Sequence, residues 1–294
     1  LSNTIRFFPD KKGLASGLIT GGMGGAAIIA APIANALIER YGVSQAFWRM
    51  GLAYALVGFF FSLFIRSAPK QIVPQTAATS EKAPTKAITA NKNWKEMLAT
   101  PAFYLLILMF AMGAFSGLMI ASNASLIGQS MFGLSASAAA AYVSLYSLSN
   151  TSGRVFWGAV SDRIGQIRAV IIIYSAIIFA FVLLVSVNQV WAFAVGIVTL
   201  GLCFGGVMGV FPGLVMDNFG PANQGVNYGI VFIGFSSAAF VAPKVTASLA
   251  AANNGDFTKA FYVAIAVVLI GLGLSLVYAK RKADAVEAAV ETIQ

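Results

Sequence analysis

Residues 149–168 read SNTSGRVFWGAVSDRIGQIR, and the two ends of this stretch call for different solvents. Asp162, Arg163 and Arg168 stand in a polar turn, with Gly158 before them and Gly165 among them. Arg154 has no such setting. Mostly Ala, Ser, Val, Leu and Tyr precede it, and Val-Phe-Trp-Gly-Ala-Val follows before the chain turns polar. Eight residues separate Arg154 from Asp162, which on a helix puts it ~12 Å inside the apolar zone.

Composition identifies that zone. Hydrophobic residues make up 59% of the 294 and charged residues only 10%, whereas a water-soluble globule carries about a quarter charged. The mean hydropathy of +0.82 belongs to a chain whose solvent is a lipid bilayer. Apolar runs of the length needed to cross it as helices fall near 14–37, 47–66, 101–127, 135–160, 168–187, 190–214, 226–252 and 259–279. The reading is therefore an all-α membrane protein with about eight transmembrane helices. The first run follows a basic, Pro-containing turn and leads into further spans, unlike a cleavable signal peptide. A single Cys203 excludes a disulfide framework, and the lack of any His removes the commonest metal ligand, so no metal or cofactor is expected.

Basic residues set the expected orientation. If the spans alternate, Arg6, Lys11, Lys12, Arg66, the lysines of 70–95, Arg163, Arg168, Lys280, Arg281 and Lys282 share one side. Arg40 and Lys259 fall on the other, with Arg49 at a span edge. The positive-inside rule makes the crowded side cytoplasmic, with both ends of this chain there and the protein in the cell (inner) membrane. The net charge of +9 is then a topology signal directed at the lipid bilayer, and nucleic acid is not an expected partner.

An internal repeat gives the organisation. FPDKKGLASG (8–17) and GPANQGVNYG (220–229) place Pro9, Gly13, Gly17 against Pro221, Gly225, Gly229. Further on, AAPIANAL (30–37) answers VAPKVTASL (241–249). Two matches in the same order point to halves related by duplication. Four spans precede the second copy and none the first, so completing the symmetry implies about four more helices upstream, twelve in all. The expected division is 1–66 as the end of one six-helix bundle, 67–96 as a Pro-, Thr- and Lys-rich linker, 97–280 as the second bundle and 281–294 as a tail.

These residues resemble a known family. GAVSDRIGQIR (158–168) is similar to the loop signature of the major facilitator superfamily. FFPDKKGLASG with GGMGG, YGVSQAFWRMG, FPGLVMDNFG and the Asn150-Thr-Ser-Gly-Arg154 run together resemble its oxalate/formate antiporter branch, related to monocarboxylate transporters. The resemblance covers nearly the whole chain as the fifth to twelfth helices. It implies a monomeric secondary transporter in which an arginine of the eighth helix, here Arg154, binds the substrate carboxylate.

Physical argument converges on the same residue. Ser147, Asn150, Arg154, Gly158 and Ser161 recur at three- and four-residue steps, a polar stripe expected to face the space between bundles. No Asp or Glu lies deep in any span, so the natural counter-charge for a buried guanidinium comes from outside, the alternative being an arginine that snorkels toward the boundary or plays a structural role. Its planar fork suits a carboxylate. The resemblance implies an Asp at position 150 in animal monocarboxylate transporters, and Asn150 cannot titrate, which argues against proton coupling through it.

The remaining candidates are less singular. Tyr146 is expected to close the anion site with its hydroxyl or to pack. Lys244 is a second intramembrane cation ~13 Å from the outer boundary, with a stem long enough to snorkel. The resemblance implies a Lys deeper in that helix, where IVFIGFSSAAF has none. One cation favours a formate- or lactate-like monoanion; two favour oxalate. Phe204 and Met208 offer an apolar wall or core packing, and Gly13, Gly17, Gly21 and Gly25 a ridge for close helix approach. Pro212 is a candidate hinge. The resemblance implies that Asp162, Arg163 and Arg168 form a charge cluster closing one end.

The expected function is exchange of small carboxylate anions by alternating access, with proton symport as the alternative and a drug or cation exporter of the same superfamily as the second. An enzyme is not expected, since the chain has no HExxH, no Ser/His pair and no intramembrane Asp dyad.

Overall fold

The computed structural model describes residues 1–8, 10–66 and 91–291. Pro9 of the repeat and residues 67–90 of the expected linker lie outside the described residues. The described chain is helical: α1 (Ser2–Phe7), α2 (Lys12–Ser62), α3 (Trp94–Leu98), α4 (Pro101–Phe132), α5 (Ala136–Ile164), α6 (Gln166–Ser186), α7 (Val190–Phe219), α8 (Gln224–Ala251) and α9 (Thr258–Glu291). Five of these, α4, α6, α7, α8 and the first 27 residues of α9, are long and apolar enough to cross a membrane. The remaining expected spans, α5 and the two arms of α2, are helical as well.

Helix α2 is two arms joined at Gly42, whose φ of 76° and ψ of 166° leave the helical region. A left-handed φ suits glycine because it has no Cβ to clash. The second arm returns toward α1, where the Asn3 side chain donates to the Arg66 carbonyl at 2.8 Å. Little of that arm is covered: Phe47, Trp48, Phe59, Phe61 and Phe64 are all exposed.

The core lies among α4 to α9 and is strongly aromatic. Phe110 stacks on Phe211 and meets Phe232 and Phe235, which joins α4, α7 and α8. Tyr174 of α6 donates its hydroxyl to the Met109 carbonyl of α4. Phe132 stacks on Phe193 toward the far end of the bundle.

Polar contacts gather at one end, here called the basic end. Arg6 donates to the Pro221 and Ala222 carbonyls, and Lys12 pairs with Asp217 at 2.6 Å. Asn223 and Asn227 hold the Lys92 carbonyl, so the chain leaving the 67–90 segment is pinned to the start of α8.

One expectation changes. Pro212 does not break its helix: α7 runs unbroken from Val190 to Phe219, and Gln224 donates to the Pro212 carbonyl at 2.7 Å. Helix α9 runs on past 280. At 34 residues α9 is ~51 Å long, well beyond an apolar core of about 30 Å, and carries the tail helically to Glu291.

Candidate functional site

Helix α5 carries the site because glycines let two neighbours reach its backbone. A Cβ on Gly17 of α2 would lie 2.2 Å from the Arg154 carbonyl oxygen, and one on Gly209 of α7 would lie 2.5 Å from the same atom. Gly13 meets Gly158 and Gly205 meets Asn150 at comparable range. No side chain fits between backbones this close, so the Arg154 turn is clasped from both sides. The stripe expected to face the space between bundles lies against α2 at Gly158 and Ser161 and against α7 at Asn150.

The guanidinium points into this region and not along the shortest way to water. That way runs toward Ile164, ten residues on, ~15 Å along the helix. Instead Nε donates to Asn150 Oδ1 at 3.2 Å, one turn back, and Nη1 donates to the Thr20 carbonyl at 2.5 Å. A Cβ on Gly24 would sit 3.3 Å from the guanidinium carbon, so α2 covers it on that side. Arginine has five N–H donors, and two are engaged here. No carboxylate pairs with it among the described residues. Asn150 Nδ2 is also buried without a partner.

Other candidates are placed differently. The Tyr146 hydroxyl donates to the Gly117 carbonyl at 2.7 Å, so it has no proton to offer an anion in this conformation. Phe204 packs over Gly117 and stacks on Phe235, and both Phe204 and Met208 are buried; this is core packing beside the site. Lys244 is exposed on α8, its Nζ 3.6 Å from the Phe240 ring centroid. That ring is one turn back, so the ammonium leans away from the nearer helix end at Ala251.

The loop signature works otherwise than as a charge cluster. Asp162 does not pair with Arg163 or Arg168 among the described residues, and both arginines are exposed. Its carboxylate accepts from the Gly13 and Leu14 backbone amides, each at 2.8 Å. These are free donors of the first turn of α2, whose own N-cap Lys11 makes no side-chain cap. An anion there also meets the positive end of the helix dipole. Gly165 turns the chain from α5 to α6 at a φ of 93°.

Sequence reasoning did not find Tyr228. Its hydroxyl is buried without a hydrogen-bond partner and lies within electrostatic reach of Arg154. A tyrosine near the start of an apolar helix gives no signal of this, since what singles it out is its closeness in space to a charge on another helix.

The chain is also similar to known proteins. An uncharacterized MFS-type transporter of Escherichia coli (strain K12), YhjX, is 34% identical over 237 residues, 80% of this chain and 57% of that protein. The oxalate:formate antiporter of Oxalobacter formigenes is 28% identical over 277 residues, 94% of this chain and 64% of that protein. The chain thus spans less than two thirds of the length of either relative. The profile of the Major Facilitator Superfamily matches residues 2–243, and the chain belongs to that superfamily.

Proposed function

We propose that this chain is part of a secondary transporter that exchanges small carboxylate anions across a membrane by alternating access. One observation carries the proposal: a half-buried guanidinium, facing another helix, holds an amide oxygen and a backbone carbonyl, has no carboxylate partner among the described residues and keeps free N–H donors. A cation half-buried in this way is completed best by an anion. A carboxylate accepts two parallel hydrogen bonds from the remaining donors. Asn150, already bonded to the guanidinium, has Nδ2 as a further donor, and the buried Tyr228 hydroxyl is an unpartnered donor among the described residues. The name of the antiporter relative makes oxalate and formate the first substrates to test.

In this reading residues 1–66 and 97–280 belong to two rocking bundles, and the basic end faces the cytoplasm. The contacts of Arg6, Lys12 and Asp162 hold that end shut. Lys244 leans toward mid-depth from the opposite side and is the candidate second cation for a dianion.

The test is counterflow of labelled oxalate or formate by the full-length protein in proteoliposomes, with acetate and lactate as competitors and with or without a pH gradient. Arg154→Gln is expected to lower the rate more than about a hundredfold, the scale of losing a buried charge-assisted pair. Arg154→Lys is expected to retain only a small part of it. Full exchange by Arg154→Gln would overturn the proposal. A rate that follows the pH gradient without counter-anion would replace exchange by symport.

A further inference from the structure

Away from Arg154, the ends of α4, α7 and α9 enclose a cavity of about 350 Å³ at the basic end. Its floor is apolar, made by Pro101, Ala102 and Leu105 of the first two turns of α4. Its rim is polar and cationic: Asn218 of α7 with Arg281 and Lys282 of α9. The back wall is fixed, because the buried Tyr278 donates its hydroxyl to Asn218 Oδ1 at 2.7 Å. Both cations are exposed, and neither forms an ion pair among the described residues.

Depth in the bilayer decides what such a cavity meets. Arg281 and Lys282 close the 27-residue apolar part of α9, and Pro101 opens the apolar run of α4. The cavity therefore stands where acyl chains give way to headgroups. Farther in, α4 and α9 come together, since a Cβ on Gly271 would lie 3.1 Å from the Met112 Cβ. The cavity is thus a notch that narrows inward between two lipid-facing helices. Leu108 of α4 and Leu276 and Val277 of α9 are exposed and continue its apolar character.

We propose that this notch binds the headgroup of an anionic phospholipid, with Arg281 and Lys282 holding the phosphate and the first carbons of the chains resting on Pro101 and Leu105. The chemistry matches at each level. A guanidinium presents paired donors to phosphate oxygens, an ammonium adds charge, and the apolar floor takes the glycerol and acyl roots. A basic notch between membrane helices is a known form of headgroup site. A free anion in water has no use for the apolar floor, and a zwitterionic lipid brings a compensating cation that two basic side chains repel.

The test uses the full-length protein in detergent, titrated with mixed micelles of phosphatidylglycerol or phosphatidylcholine, or with inorganic phosphate, read by melting temperature and native mass spectrometry. Phosphatidylglycerol is expected to bind and raise the melting temperature, with the other two near baseline. The double variant Arg281→Gln/Lys282→Gln is expected to weaken phosphatidylglycerol binding about thirtyfold, the loss of two surface charges. Lys259→Gln, at the far end, is expected to leave it unchanged. Equal binding of phosphatidylcholine, an unaffected double variant, or an equal loss in Lys259→Gln would overturn the proposal. So would inorganic phosphate reproducing the whole shift, which would make the notch a free-anion site.

Discussion

Two regions of this molecule start from the same sequence pattern and end in different surroundings. In α2, Gly13 and Gly17 are pressed against the backbone of α5, with no space for a side chain. In α8 the matching Gly225 has only Ser2 beside it, at 3.4 Å, and Gly229 has nothing within 4 Å. The repeat gave both helices a smooth face; among the described residues only α2 has its partner against it. What the two stretches share is thus a surface for helix contact, and a glycine in such a pattern becomes indispensable only where another backbone occupies it. On the uncovered side the α8 face carries Ile233, Phe240 and Lys244, all exposed, and these are the residues to watch.

The largest expected effect breaks the contrast directly. Gly17→Leu forces a side chain against the Arg154 carbonyl and is expected to destabilise the fold by about 3 kcal/mol or more, at the upper end of overpacking. Gly229→Leu enters open space and is expected to change stability by less than about 1 kcal/mol, the extra helix propensity of leucine included. Thermal unfolding of both variants of this chain in one detergent checks the pair, and equal losses would refute the distinction.

Next in size is Lys244→Gln. If the open face of α8 borders the anion path, oxalate affinity is expected to fall about tenfold, as for one charged hydrogen bond, while formate changes little. Competition binding with the two anions on the full-length protein reads the difference. Equal changes, or none, would assign Lys244 to the lipid side.

The smallest effect tests how the covered face is held. Asp162→Asn keeps the shape but removes the charge at the start of α2, and about 1 kcal/mol of stability is expected to go with it. Arg163→Gln is expected to have almost no effect, because that side chain is exposed and forms no ion pair among the described residues. Unfolding measurements of the two side by side separate a helix cap from a charge cluster.

Much of this was legible in the amino-acid sequence. Length and apolarity gave the helices, and the Asn150–Arg154 spacing placed both residues on one face, where the guanidinium does reach back to the amide oxygen. The glycine ridge announced close approach but not its target, because helix pairing is not written in either helix alone. Asp162 was misread for the same reason. In sequence its neighbours are Arg163 and Arg168, yet its partners are amides 148 and 149 residues away. Tyr146 shows the limit for polar groups: nothing local tells that its hydroxyl is taken by Gly117 of another helix. Pro212 does not break α7, because a packed membrane helix tolerates a missing N–H.

The clasp on the Arg154 carbonyl has a mechanical consequence. A rod held at one point along its length and tilted moves least at that point and most at its ends. Gly17 and Gly209 grip the turn that bears the guanidinium, so any seesaw of α2 across α5 would swing the helix ends far more than the guanidinium itself. The charge sits at the fulcrum.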